Sequence, residues 1–242
     1  MFSRIWHGLL DIIYPNKCHA CKNKIEAENS IDQLICLACW DKIKINLPPF
    51  CWQCGRRLQK KDFAKNTCSG CVRRRLHFDR AFSPCRYEGV MADLIHEFKY
   101  KGKDYLGRPL GKLMSNFIKE YDLPIKDMDL VMPIPLHKTR LREREFNQAR
   151  LLGESIAGEF GKEIVSDCLI RERHTLSQTQ IDPAQRLNNV KGSFAVRDGG
   201  LTKNKNILLI DDVLTTGATC SEAASALKNA GAGIVFVLTL AN

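Results

Sequence analysis

Eight of the eleven cysteines form four CxxC pairs, Cys18/Cys21, Cys36/Cys39, Cys51/Cys54 and Cys68/Cys71, separated by 14, 11 and 13 residues. A two-residue spacer lets both sulfurs of a tight turn face one cation, and two such turns complete a tetrahedral thiolate site. Eight ligands therefore predict two structural zinc ions. A disulfide framework would use the same residues in an oxidising compartment, but the start, MFSRIWHGLLDIIYP, does not read as a secretory leader. His7, Gly8 and Asp11 break its apolar core, and no small-residue cleavage site follows. Consecutive pairing closes shorter loops, at lower entropy cost, than a cross-braced use of the same cysteines, and is the expectation. Cys85, Cys168 and Cys220 fall outside the pattern and read as buried thiols.

The metal module is also where the charge lies. Of a formal net charge of +10, residues 1–80 carry +8 and residues 81–242 carry +2. Two zinc ions with eight thiolates add about −4, so the module keeps only a modest basic excess. We expect two units: an N-terminal helix over residues 5–13 with a double zinc ribbon to residue 80, and a second domain over 81–242. No apolar run approaches the roughly 18–20 residues of a membrane helix, and a cytoplasmic protein is expected.

From residue 81 onward strand and helix signals alternate, which predicts an α/β fold with a parallel sheet flanked by helices. Strands are expected at 130–134, 162–168, 193–196, 207–210 and 234–238. Helices are expected from Met91, over 107–121, 146–160 and 219–230. The polar stretch 171–190 has the length and character of a closing lid.

The segment KNILLIDDVLTTGATCSEAASAL carries the most chemistry. An apolar strand delivers Asp211 and Asp212 at its C-terminal end, and the run Val213, Leu214, Thr215, Thr216, Gly217, Ala218, Thr219 opens a helix. Ligands of open α/β sheets bind at the carboxyl ends of strands, where loop amides and a helix N-terminus attract anions. Gly217 permits close backbone approach, the threonines offer hydroxyls to phosphate oxygens, and paired carboxylates suit two vicinal hydroxyls of a ribose. The loop is not a Walker motif, since no Lys follows the Gly. A capped strand-turn-helix accounts for one Asp or one Thr but not for the whole string.

That string resembles the PRPP-binding motif of type I phosphoribosyltransferases. Together with the CxxC pairs, FKYKG, PIPLHKTRLREREFNQA and the Q…R…N segment, it is similar in order to the ComF family, which joins a zinc ribbon to a phosphoribosyltransferase domain and is associated with DNA uptake and transformation. The resemblance implies that Asp211 and Asp212 hold the ribose hydroxyls and residues 213–219 the 5′-phosphate, with Mg bound alongside PRPP. The loop at 133–142 would face the pyrophosphate, with Pro133, Lys138, Arg140 and Arg142 as its candidates. Gln178, Arg186 and Asn189 would serve the lid. One departure is visible: Glu145 stands where the family usually has Gly.

Lys99 and Lys101 read as complements to a helix dipole, His96 as structural, and His137 and His174 as neighbours of the pyrophosphate loop and the lid. Two functions remain open on these residues. One is a Mg-dependent phosphoribosyltransferase of nucleotide metabolism. The other is a non-catalytic competence factor that binds single-stranded DNA through its ribbon, with Arg73, Arg74 and Arg75 among interleaved aromatics, and retains the transferase fold as a PRPP sensor or scaffold; the DNA-uptake machinery is a further expected partner.

Overall fold

The computed structural model describes residues 16–100, 102–173 and 189–242. The expected N-terminal helix, most of the lid with His174, Gln178 and Arg186, and Lys101 lie outside them.

The cysteine module repeats one turn twice. In the first ribbon Cys18 N–H donates to Asn23 O, and Lys17 bridges Lys24; in the second Cys51 N–H donates to Arg56 O, and Phe50 bridges Arg57. Each turn needs a left-handed residue after its second cysteine, supplied by Lys22 (φ 63°) and Gly55 (φ 68°). The first ribbon continues through β1 (Ser30–Ile31), β2 (Ile35–Cys36) and α1 (Leu37–Trp40). The second ends in α2 (Ser69–Val72).

The chain then enters a five-stranded sheet at β3 (Arg80–Phe82), followed by α3 (Gly89–Phe98), α4 (Gly107–Glu120), β4 (Leu130–Pro133), α5 (Lys138–Arg144), α6 (Gln148–Phe160) and β5 (Glu163–Ile164). A separate antiparallel pair, β6 (Leu169–Arg171) and β7 (Phe194–Val196), precedes α7 (Gly199–Thr202), β8 (Ile207–Val213), α8 (Ala218–Asn229) and β9 (Val235–Ala241). The sheet order is β3-β9-β8-β4-β5, with every pairing parallel. Ile207–Ile210 are fully buried at its centre, as the unbroken apolar run requires when helices cover both faces.

Several elements depart from the expectations: the strand expected over 162–168 is only Glu163–Ile164, and β6 and α7 stand where no element is expected. Residues 138–144 are a helix rather than a loop, and β8 continues past Ile210 so that both aspartates stand on the strand itself.

The two ribbons sit on opposite faces of the sheet. Cys18, Ile25, Ile35, Cys39 and Ile43 join the apolar cluster of α3, α4 and α6, whereas Cys51, Cys54, Leu58, Cys71 and Phe78 join that of α8. Burial of this apolar surface, together with backbone bonds such as Ala81 N–H to Gln53 O at 2.7 Å, ties the module to the sheet edge. Cys85, Cys168 and Cys220 are all buried.

Candidate functional site

The carboxyl ends of β4 and β8, with the end of α3 and the starts of α5 and α6, enclose a cleft of about 540 Å³. Asp211 and Asp212 lie on its floor. Asp211 Oδ1 accepts from Asp212 N–H at 2.9 Å, and its Oδ2 accepts from Cys220 Sγ at 3.7 Å. Desolvation at the strand end, reinforced by the neighbouring Asp212 charge, pushes the Asp211 carboxyl up to about 7. Asp212 Oδ2 pairs with Lys99 Nζ at 3.0 Å. Lys99 thus reaches into the cleft instead of merely complementing a helix dipole.

Helical period sorts the basic residues of 133–142. Arg140 lines the cleft with Arg144, four residues on and on the same face of α5, while Lys138 and Arg142 occupy the exposed face and are not among the lining residues. Pro133 closes β4 and is likewise not a lining residue; Ile134, Pro135 and Leu136 are. Arg171, from β6, brings a further guanidinium. Burial depresses the pKa of both Arg144 and Arg171, while the aspartates across the cleft favour their charged forms. Neither arginine was expected from the sequence, because both depend on where tertiary structure places them.

Residues 144–148 fasten the walls together. Arg144 Nη1 donates to Gln148 Oε1 at 2.9 Å, Gln148 Nε2 to Phe98 O at 3.1 Å, and Asn147 Nδ2 to Ile134 O at 3.0 Å. Asn147 also caps α6 through Ala149 N–H. Glu145, between them, is exposed and adopts φ 69°, the left-handed conformation that ends α5. A glycine there has a backbone explanation.

In the 213–219 loop Val213, Thr215 and Thr219 face the cleft, while Leu214, Thr216, Gly217 and Ala218 are buried. Gly217 adopts φ 79° immediately before α8. His96 and Tyr100, from α3 and just beyond it, also line the cleft, and Tyr100 Oη meets His96 Nε2 at 3.4 Å. His137 caps the start of α5, its Nδ1 accepting from Thr139 N–H. Asn189 is half-buried beside Val190.

The cysteines gather as Cys18, Cys21, Cys36, Cys39 and as Cys51, Cys54, Cys68, Cys71, with the four sulfurs of each set within 4.8 Å of one another. Pairing is therefore consecutive. In each set a backbone amide donates to the first sulfur: Cys36 N–H to Cys18 Sγ at 3.4 Å, and Cys68 N–H to Cys51 Sγ at 3.3 Å. Four convergent thiols with amide donors fit structural zinc, which holds thiolates in a closed tetrahedron. Among the basic triplet Arg73 and Arg75 are exposed, but Arg74 Nη1 donates to Thr216 O at 3.2 Å. Among the described residues no helix is long and apolar enough to cross a membrane.

Comparison with known proteins agrees with this architecture. A double zinc ribbon domain matches residues 9–74 and a phosphoribosyl transferase domain matches residues 149–242. The chain is 26% identical to Competence protein F of Haemophilus influenzae, over 93% of this chain and 96% of that one. It is 26% identical to the DNA utilization protein YhgH of Salmonella typhi, over 85% and 89%. It is 33% identical to Competence protein ComFC of Bacillus subtilis, over 83% and 80%. With a double ribbon, a parallel phosphoribosyltransferase-like sheet and that likeness along most of its length, the chain belongs to the ComF family of competence proteins.

Proposed function

We propose that the protein binds PRPP with Mg and transfers its phosphoribosyl group to an acceptor in the service of DNA uptake or use, as the names of its relatives suggest. The observation that carries this reading is the pairing of Asp211 and Asp212 with a Thr-rich loop and helix start on one side of the cleft and three arginines on the other. The carboxylates accept hydrogen bonds from the ribose 2′- and 3′-hydroxyls. The 213–219 loop takes the 5′-phosphate, and Arg140, Arg144 and Arg171 stand where a pyrophosphate develops charge.

No protein nucleophile is required. An acceptor nitrogen forms a bond to ribose C1 as the C1–O bond to pyrophosphate breaks; the electron pair leaves with pyrophosphate and the acceptor gives up a proton. Positioning and neutralisation of the leaving group lower the barrier. Mg, a small hard cation, supplies charge neutralisation to the pyrophosphate oxygens, and the carboxylate-rich floor suits it. The chain's own part is to orient the ribose and hold the arginines in a partly desolvated cleft.

Calorimetry with PRPP and Mg tests this. Binding should be abolished in the double variant Asp211→Asn, Asp212→Asn; retained affinity would remove the assignment.

A second activity has its own support. Trp52 is 60% and Phe63 44% exposed, next to Lys60, Lys61 and Lys65 on the second ribbon. Exposed aromatics among lysines suit stacking and backbone neutralisation of single-stranded DNA, and Arg73 and Arg75 are exposed just after α2. A salt slope of single-strand binding unchanged by replacing Arg73 and Arg75 would reject their part in it.

A further inference from the structure

We infer that the second cysteine ribbon is the rear support of the 213–219 loop, and that Arg74 is its positioning residue. This rests on the reading that the loop holds the 5′-phosphate.

A loop that binds phosphate through its amides must keep those amides aimed while the site is empty. Here the ribbon backs the loop from the side away from the cleft, touching it at Arg74, Leu76 and Phe78 beside a small cavity of about 90 Å³. Arg74 Nη1 donates to Thr216 O at 3.2 Å. Leu76 lies so close that a Cβ on Gly217 would sit 3.4 Å from its Cδ2, with Phe78 at 3.6 Å. One turn into α8, Ser221 Oγ accepts from His77 N–H at 3.0 Å and lies 3.1 Å from His77 Nδ1. Arg74 is itself anchored through its N–H to Cys71 O at 3.1 Å, so the loop's support begins three residues from a metal-ligating cysteine.

The bond to Thr216 O fixes a direction. In a trans peptide the carbonyl and the following N–H point oppositely. Holding the Thr216 carbonyl toward Arg74 therefore turns the Gly217 N–H away from the ribbon. Without that bond the 216–217 peptide, next to a glycine with little steric restraint, is free to flip and withdraw the donor.

The full-length protein tests this by calorimetry with three probes: PRPP with Mg, ribose 5-phosphate and inorganic pyrophosphate. Arg74→Ala should weaken PRPP and ribose 5-phosphate by about tenfold each, the scale of one lost positioning hydrogen bond, and leave pyrophosphate affinity and the melting temperature unchanged. Arg74→Gln, which keeps an amide donor, should lose less, and it serves as the milder variant if the alanine protein does not fold. Wild-type affinity for ribose 5-phosphate in both variants would overturn the inference. Equal losses for pyrophosphate would overturn it too, since they would mark general damage to the cleft. If the wild type bound neither PRPP nor ribose 5-phosphate, the reading of the loop itself would fall, a result distinguishable from a silent Arg74.

Discussion

Lys99 and Asp212 meet at 3.0 Å across the cleft, one from just beyond α3 and the other from the end of β8. The contact sets an ammonium against two adjacent carboxylates. Both partners are largely shielded from solvent, so the pair is screened less than a surface ion pair. Lys99→Met should leave the aspartates with less compensation, favour the protonated form of Asp211 and weaken PRPP binding about five- to tenfold, on the scale of one charge-assisted hydrogen bond. Calorimetry at pH 8 checks this, and an unchanged Kd would show that Lys99 is a bystander.

Asp211 predicts a pH dependence. Its carboxyl is pushed up to about 7 in the folded protein from an ordinary value of 3.8, by desolvation and then by Asp212. Between those values the folded state binds a proton that the unfolded chain has released, so stability falls as pH rises from about 4 to 7. Ribose hydroxyls, in contrast, need the ionised carboxylate as acceptor, and PRPP affinity should climb through pH 7. Melting curves and titrations between pH 5 and 8 should show both trends, each flattened in Asp211→Asn. A parallel pH profile in that variant would assign the trend to another group.

The parts of the site legible in the sequence are those held by local spacing. The CxxC pairs announce their own geometry, because each knuckle closes within a few residues. Ile207–Ile210 read as a buried strand because a continuous apolar run fits only a sheet covered on both faces. A loop over 133–142 gives Lys138, Arg140 and Arg142 no common face; on the helix Lys138–Arg144 the spacing of Arg140 and Arg144 singles out the cleft-facing pair. Lys99 and Arg171 had no such local signal. Their roles come from α3 and β6 being brought to the carboxyl edge of the sheet by long-range packing, and the docking of Arg74 on Thr216 has the same origin.

Gly55 links ribbon and sheet more tightly than composition suggests. It adopts φ 68°, and a Cβ at that position would lie 2.5 Å from Ala81 O, on the edge strand β3. Gly55→Ala thus combines left-handed strain with a clash against backbone that cannot swing aside. A loss of about 2–4 kcal/mol in unfolding free energy is expected, with earlier zinc release on heating, followed by denaturant melts and a chromogenic chelator. A neutral result would mean that the ribbon can lift from β3.

Glu145 offers the opposite case, a side chain where glycine would be easier. It ends α5 at φ 69°, and its carboxylate is exposed rather than among the residues lining the cleft. A non-glycine residue in that region costs about 1 kcal/mol. Removing the side chain relieves this, while the added freedom of the unfolded chain takes some of the gain back. Glu145→Gly should therefore raise the unfolding free energy by about 0.5 kcal/mol, a shift of about 1–2 °C for a chain of this size. PRPP affinity should stay within about twofold, because the residues that fasten the cleft are Arg144, Asn147 and Gln148 on either side. Differential scanning fluorimetry and calorimetry on the same preparation separate the two effects. A large rise in affinity with no gain in stability would mean that the carboxylate opposes the phosphates after all, acting through space from outside the cleft.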